Sequence, residues 1–161
     1  MNSNPPSIPA DGRHRYAIRV YYEDTDAGGV VYHASYLRFA ERARTEALRD
    51  LGIPHAEMVD QYNLMFMVHR LEVDYVRPAR PDESLIVETT ALAVGRASVR
   101  LRQVVAGANG TCADLIVRLA CVQTGSGGGN KPGRIPPRWR ATLNALRNAG
   151  QEGVQGIGSG S

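Results

Sequence analysis

One long amphipathic helix among strand-like segments limits this chain more than any other feature. From Ala34 to Leu51, Tyr36, Ala40, Ala43 and Ala47 recur on one helical stripe, which Leu37, Leu48 and Leu51 widen. Arg38, Arg42 and Arg49 take the opposite face, and Gly52 and Pro54 stop the run. Arg44 falls inside the apolar arc with Glu41 at its edge, a spacing that predicts an i,i+3 ion pair. A helix with one apolar face must bury it against another element, and the flanking segments supply a sheet. Arg15–Tyr22 reads as a first strand, and Pro54–Gln61 as a short helical turn. Leu64–Val76 alternates, with His69, Leu71, Val73 and Tyr75 on one face and Arg70, Glu72 and Asp74 on the other. Ser84–Val94, Ala97–Val105 and Thr111–Thr124 follow as strands, with the glycine-flanked Gly107–Gly110 as a hairpin turn. Five strands with short connections and one long helix predict an antiparallel sheet packed on that helix, an α+β architecture. Such a sheet leaves a bare edge, so pairing of two copies through it is expected.

The remaining segments set the domain limits. Residues 1–14, proline-rich and poor in apolar side chains, read as a disordered lead-in; 15–148 form one domain; 149–161 read as a flexible tail. Within the domain, Gly125–Asn130 reads as a loop. Pro136-Pro137 opens a final helix that places Trp139, Leu143 and Leu146 on one docking face. No secretory leader pattern and no membrane-length apolar run is present, which points to a soluble, cytoplasmic protein. Cys112 and Cys121, nine residues apart in one strand-like run, are separated by ~30 Å, too far for a disulfide.

Charge excludes a partner class. The net +3 suggests nucleic acid, yet residues 1–124 carry 14 Lys+Arg against 15 Asp+Glu. The basic excess lies in the C-terminal segment, and no basic stripe with interleaved aromatics exists, so nucleic-acid binding is not expected. The four histidines show no metal-ligand spacing, and no metal site is expected.

The chemistry concentrates in "VYYEDTDAGGVVYHASYLRFAERARTEALRDLGI", Val20 to Ile53. Glu23, Asp24 and Asp26 crowd together before Gly28-Gly29 and the start of the helix, although like charges this close repel. His33 follows at the helix N-terminus, where unpaired N–H groups carry partial positive charge. A carboxylate beside such a terminus supplies the parts for acyl transfer: the N–H polarises a carbonyl while the carboxylate attacks it or activates water. A capping carboxylate in an acidic turn is the plainer alternative from the residues alone. No G-x-S-x-G elbow, dinucleotide fingerprint or P-loop is present.

The block "VYYEDTDAGGVVYHASYLRFAERARTE", with "VDYVRPARPDE" and "NKPGRIPP" downstream, closely resembles hotdog-fold acyl-CoA thioesterases of the 4-hydroxybenzoyl-CoA thioesterase/YbgC family, most of all its Tol-Pal-associated branch. The resemblance spans about Arg15 to Leu143. It implies a five-stranded antiparallel sheet wrapped around the long helix, a homodimer or homotetramer with active sites at the subunit interface, and no cofactor. By position it implies Asp26 as the catalytic carboxylate, His33 as the source of the helix N-terminal N–H and an imidazole, and Tyr22 as a third member. Asp24 then orients the turn. Glu41 is the alternative acid, since related hotdog enzymes place a glutamate on the central helix. For the nucleotide end of coenzyme A the resemblance points to Arg96 and Ser98, with Arg77 and Arg80 as weaker candidates. The glycine-rich insertion before Lys131 departs from the family pattern. The implied substrate is an acyl-CoA, with acyl-carrier protein as a further partner. The rival readings are a non-catalytic acyl-CoA or acyl-carrier-protein binding module linked to the cell envelope, and a hotdog dehydratase.

Overall fold

Five strands form one antiparallel sheet in the order β1-β3-β4-β5-β2 in the computed structural model, which describes residues 11–125 and 131–158, with 148–158 as backbone. The strands are β1 (His14–Arg19), β2 (Leu64–Tyr75), β3 (Ser84–Val94), β4 (Ser98–Gly107) and β5 (Gly110–Gln123). The helices are α1 (Ser35–Asp50), α2 (His55–Tyr62) and α3 (Pro137–Gly158). Alternation does the folding here. Val99, Leu101, Gln103 and Val105 of β4 and Leu115, Val117, Leu119 and Cys121 of β5 point inward. Ser98, Arg100, Arg102 and Arg118 point out.

The inner face is covered by α1, through Tyr36, Phe39, Ala40, Ala43 and Ala47, and by the start of α3, through Trp139, Leu143 and Leu146. Small alanines on α1 let the helix lie close to the sheet, while Trp139 is fully buried with its ring edge against Tyr62 of α2. Both cysteines are buried and free, and burial pushes the Cys121 thiol up to about 11.

Four expectations change. The first strand ends at Arg19, because the chain turns into a 3₁₀ turn at Tyr22–Asp24. In β2 a bulge between Val68 and Arg70 takes His69 out of the alternation; Leu71 and Val73 pack inward, while Tyr75, the last residue of the strand on their face, is 50% exposed. Glu41 and Arg44 do not pair. Glu41 is exposed, and the Arg44 guanidinium donates to Gln103 Oε1 at 2.9 Å. Gln103, fully buried, passes the connection on through its amide to the Ala40 carbonyl (2.9 Å) and Thr89 Oγ1 (3.1 Å). An inward-facing glutamine on the central strand β4 out-competes a glutamate on the helix rim, because the rim carboxylate keeps its water. Fourth, helix α3 continues as backbone to Gly158, through most of the segment read as a tail. Glycine there costs ~1 kcal/mol per residue but does not end a helix as proline does. Residues 1–10 of the lead-in and 126–130 of the loop lie outside the described residues.

Among the described residues, no helix is long and apolar enough to cross a membrane, and no cluster of His, Cys, Asp and Glu is suited to a metal ion.

Candidate active site

The acidic turn is built from the inside out. Asp24 is 6% exposed, and its carboxylate accepts the Tyr21 N–H at 2.9 Å while its carbonyl accepts the Tyr32 N–H (2.8 Å) and the Ser35 hydroxyl (3.0 Å). Asp24 therefore welds the 3₁₀ turn to the start of α1. Two residues on, Asp26 points to solvent. Its Oδ1 accepts the Gly28 N–H at 2.8 Å, and no described residue bonds its Oδ2. The reversal needs its glycines: Gly29 has φ +76°, and a Cβ on Gly28 would stand 3.2 Å from Asp26 Oδ1. A bridge between Thr25 and Val31 closes the loop.

That closure delivers His33 to the helix entrance. The N–H groups of Tyr32, Ser35 and Leu37 already bond to the carbonyls of Asp24, Tyr32 and Ala34. Those of His33 and Ala34 have no partner among the described residues, which leaves donors at the positive end of α1. The His33 carbonyl accepts the Tyr75 hydroxyl at 3.0 Å, so the end of β2 holds this peptide in place. The rings of His33 and Tyr36 lie 6.3 and 5.8 Å from that of Tyr75.

A cavity of about 280 Å³ opens here, lined by Asp26, Val31, His33, Tyr36, Tyr75 and the Val76–Pro78 segment. Its floor is fixed by Ala79, whose carbonyl accepts the Val31 N–H (2.8 Å) and whose N–H donates to Tyr36 Oη (3.0 Å). Burial pushes the Tyr36 phenol up, against the pull of that N–H, so it stays protonated. Arg77 is committed to structure. Its Nη2 donates to Glu83 Oε1 (2.9 Å) and the Gly110 carbonyl (3.2 Å), its Nη1 to the Pro78 carbonyl (3.2 Å), and the bond it donates to Glu83 raises its pKa.

Of the residues singled out from the sequence, the fold brings Asp26 and His33 together. Tyr22 lies on the 3₁₀ turn, 76% exposed and outside the cavity lining. Glu41 is exposed on α1, also outside it. Arg96 and Ser98 sit at the turn between β3 and β4, and Arg80 is exposed in the β2–β3 connection. Tyr75 was missed as a site residue, because alternation in β2 assigned it to the core face. The only sequence signal for it was its place in "VDYVRPARPDE".

The sequence profile of the thioesterase superfamily matches residues 28–113, from the glycine pair to the start of β5. Over 137 residues the chain is 39% identical to the "Acyl-CoA thioesterase YbgC" of Haemophilus influenzae, across 85% of this chain and 98% of that one. The chain belongs to the thioesterase superfamily. It is also 43% identical over 97 residues to the "Acyl-CoA thioester hydrolase YbgC" of Escherichia coli O157:H7, covering 60% of this chain and 72% of the other. A solved structure, a probable thioesterase from Bartonella henselae, superposes with a TM-score of 0.71 at 33% identity, over 77% of this chain and 99% of that one. The architecture is the hotdog fold, with the five-stranded antiparallel sheet and long central helix that the sequence led us to expect.

Proposed function

We propose that this enzyme, a thioesterase of the YbgC type, hydrolyses acyl-CoA to a free acid and CoA with Asp26 as its reacting carboxylate. The reading is carried by one observation: a carboxylate with a free oxygen and a helix N-terminus with unpaired N–H groups face the same cavity. With the thioester carbonyl at the start of α1, the His33 N–H donates to its oxygen as negative charge builds there. Asp26 Oδ2 then adds to the carbonyl carbon or takes a proton from the water that does. In the first case the C–S bond breaks to give a mixed anhydride, which water opens; in the second, the acid forms directly. The sulfur leaves as thiolate and is protonated from solvent. Neither route uses a metal or a redox cofactor. Tyr22, on the 3₁₀ turn before Asp26, is the third member the resemblance implies, and the turn bearing Arg96 and Ser98 receives the nucleotide end of CoA. The enzyme works as a dimer or a pair of dimers, because the cavity opens beside the exposed end of β2.

Substituting Asp26→Asn keeps the Gly28 contact and removes the charge. Turnover of a short acyl-CoA is expected to fall by a factor of ~10² to 10⁴, with the melting temperature unchanged or raised as repulsion from Glu23 and Asp24 eases. Glu41→Gln serves as the control. With no ion pair to lose, it is expected to leave both quantities near wild type. Retained turnover in Asp26→Asn with loss in a stable Glu41→Gln would assign the chemistry to the wrong acid.

A further inference from the structure

Tyr36, in the lining of the cavity, carries a hydroxyl that is only half used. The residue is 2% exposed, and its Oη accepts the Ala79 N–H at 3.0 Å. Its own hydrogen finds no acceptor among the described residues. Burial keeps the phenol protonated, so the O–H remains a donor. A buried donor without an acceptor destabilises a fold, and such a group calls for a partner. Arg77, in the same lining, gives a second and separate sign. Its terminal nitrogens are spent on Glu83, Pro78 and Gly110, but its Nε is buried with no partner among the described residues. Both groups are held in place. The Tyr36 ring packs edge-on against buried Phe39, with centroids 6.0 Å apart, and lies 5.8 Å from that of Tyr75.

The reaction decides which part of the substrate meets Tyr36. With the thioester carbonyl at the His33 N–H, the pantetheine arm has to leave towards solvent, past exposed Tyr75 and Val76. The acyl group is left with the buried end. At about 280 Å³ the cavity is small for a ligand site, which suits a short acyl group. Tyr36 follows His33 by three residues, ~4.5 Å along the helix axis. Its hydroxyl therefore meets an oxygen set a few bonds beyond the thioester carbonyl. That oxygen belongs to a neutral group, because Asp26 shares the cavity and repels a carboxylate, and Glu83 already balances the charge of Arg77.

We infer that Tyr36 is a specificity-determining residue, its hydroxyl selecting short acyl groups that carry an oxo or hydroxyl oxygen over plain alkanoyl groups of the same length. The inference rests on the hydrolase reading above and names a substrate class for that site. A site built to hydrogen-bond a substrate oxygen rejects the analogue that lacks it, because the protein donor is then left buried and unpaired. A plain alkanoyl group leaves the Tyr36 hydrogen and Arg77 Nε without partners, whereas an oxygen on the acyl chain supplies one.

Acetoacetyl-CoA, 3-hydroxybutyryl-CoA and butyryl-CoA share one chain length and differ only at the third carbon, so they test this on the full-length chain. In the wild type, kcat/KM is expected to be higher for both oxygenated thioesters than for butyryl-CoA. The oxo group also activates acetoacetyl-CoA chemically, so the deciding quantity is the change of each ratio in Tyr36→Phe, where intrinsic reactivity cancels. The ratio to butyryl-CoA is expected to fall about tenfold for either oxygenated thioester. Tyr36→Phe also takes the acceptor from the Ala79 N–H and lowers the melting temperature. Each ratio is read within one preparation and does not depend on the folded fraction; if the variant yields no folded protein, the wild-type preference decides alone. A wild type that favours butyryl-CoA over 3-hydroxybutyryl-CoA would overturn the assignment. So would an equal loss on all three thioesters in Tyr36→Phe. Asp26→Asn lowers turnover of all three by one factor, so a failure of the catalytic reading shows there, and a failure of this one in the ratios.

Discussion

Tyr75 shows how one residue joins two functions of this fold. Its ring lies against His33 and Tyr36, and its hydroxyl donates to the His33 carbonyl at 3.0 Å. That bond fixes the peptide next to the N–H groups that the proposed mechanism assigns to the oxyanion, while the side chain stays half exposed and adds little to the core. The variant Tyr75→Phe removes the hydroxyl and keeps the ring. On the proposed mechanism kcat falls up to about tenfold, at most ~1.4 kcal/mol of lost positioning, while KM and the melting temperature stay close to wild type. Steady-state kinetics beside a melting curve decide the matter: an unchanged kcat, or a loss explained by unfolding, removes Tyr75 from the machinery. Asp24 makes the opposite case at the same scale. It sits two residues from Asp26 and has the same chemistry, but its burial and its bond to the Tyr21 N–H give it to the turn.

Among the elements, α2 and β2 are joined by a titrating contact. Half-buried His55, the first residue of α2, accepts the Phe66 N–H through Nε2 at 3.1 Å. Accepting requires a neutral ring, and burial lowers the His55 pKa from 6.5. The sign follows from linkage. A folded-state pKa below the unfolded one gives stability that is fully present above about 6.5 and is lost as pH falls through the lower folded value. Melting temperatures between pH 7.5 and 5 are therefore expected to decline more steeply for wild type than for His55→Gln, which keeps an acceptor that does not titrate. Parallel declines would show that His55 carries none of the acid sensitivity. This contact also marks how far the sequence could be read. The long helix, the four later strands and the docking of Trp139 were legible, because each rests on a period that burial enforces: 3.6 along α1, and two along β3, β4 and β5. Partnerships across the core were not. Gln103 with Arg44, and His55 with Phe66, join residues 59 and 11 positions apart, and no local period encodes either choice. The candidate site was legible to the extent that it is local. Asp26 and His33 share one loop, whereas Tyr75 reaches His33 from 42 residues away.

At the scale of the whole molecule, the sheet has two free edges of different character. β1 is short and carries Arg13, Arg15 and Arg19 at or beside its six residues, the kind of charge that discourages strand addition. β2 is twelve residues long and exposes Met67, Val68 and Tyr75, with Val76 just past its end. A row of unpaired N–H and C=O groups flanked by exposed apolar side chains is a template for another strand, and a second copy of β2 offers the same pattern in return. Pairing there would cover Val68 and bring a partner beside the cavity that Tyr75 and Val76 line. Light scattering at micromolar concentration is therefore expected to show a dimer or larger assembly. Val68→Lys, which places a charge on this edge while leaving the inner face of the sheet untouched, should shift the mass towards the monomer. Circular dichroism should remain that of a folded α+β protein, and turnover should fall with the fraction dissociated. A wild-type monomer with full turnover would show that the cavity is complete within one chain, and that this edge is left bare.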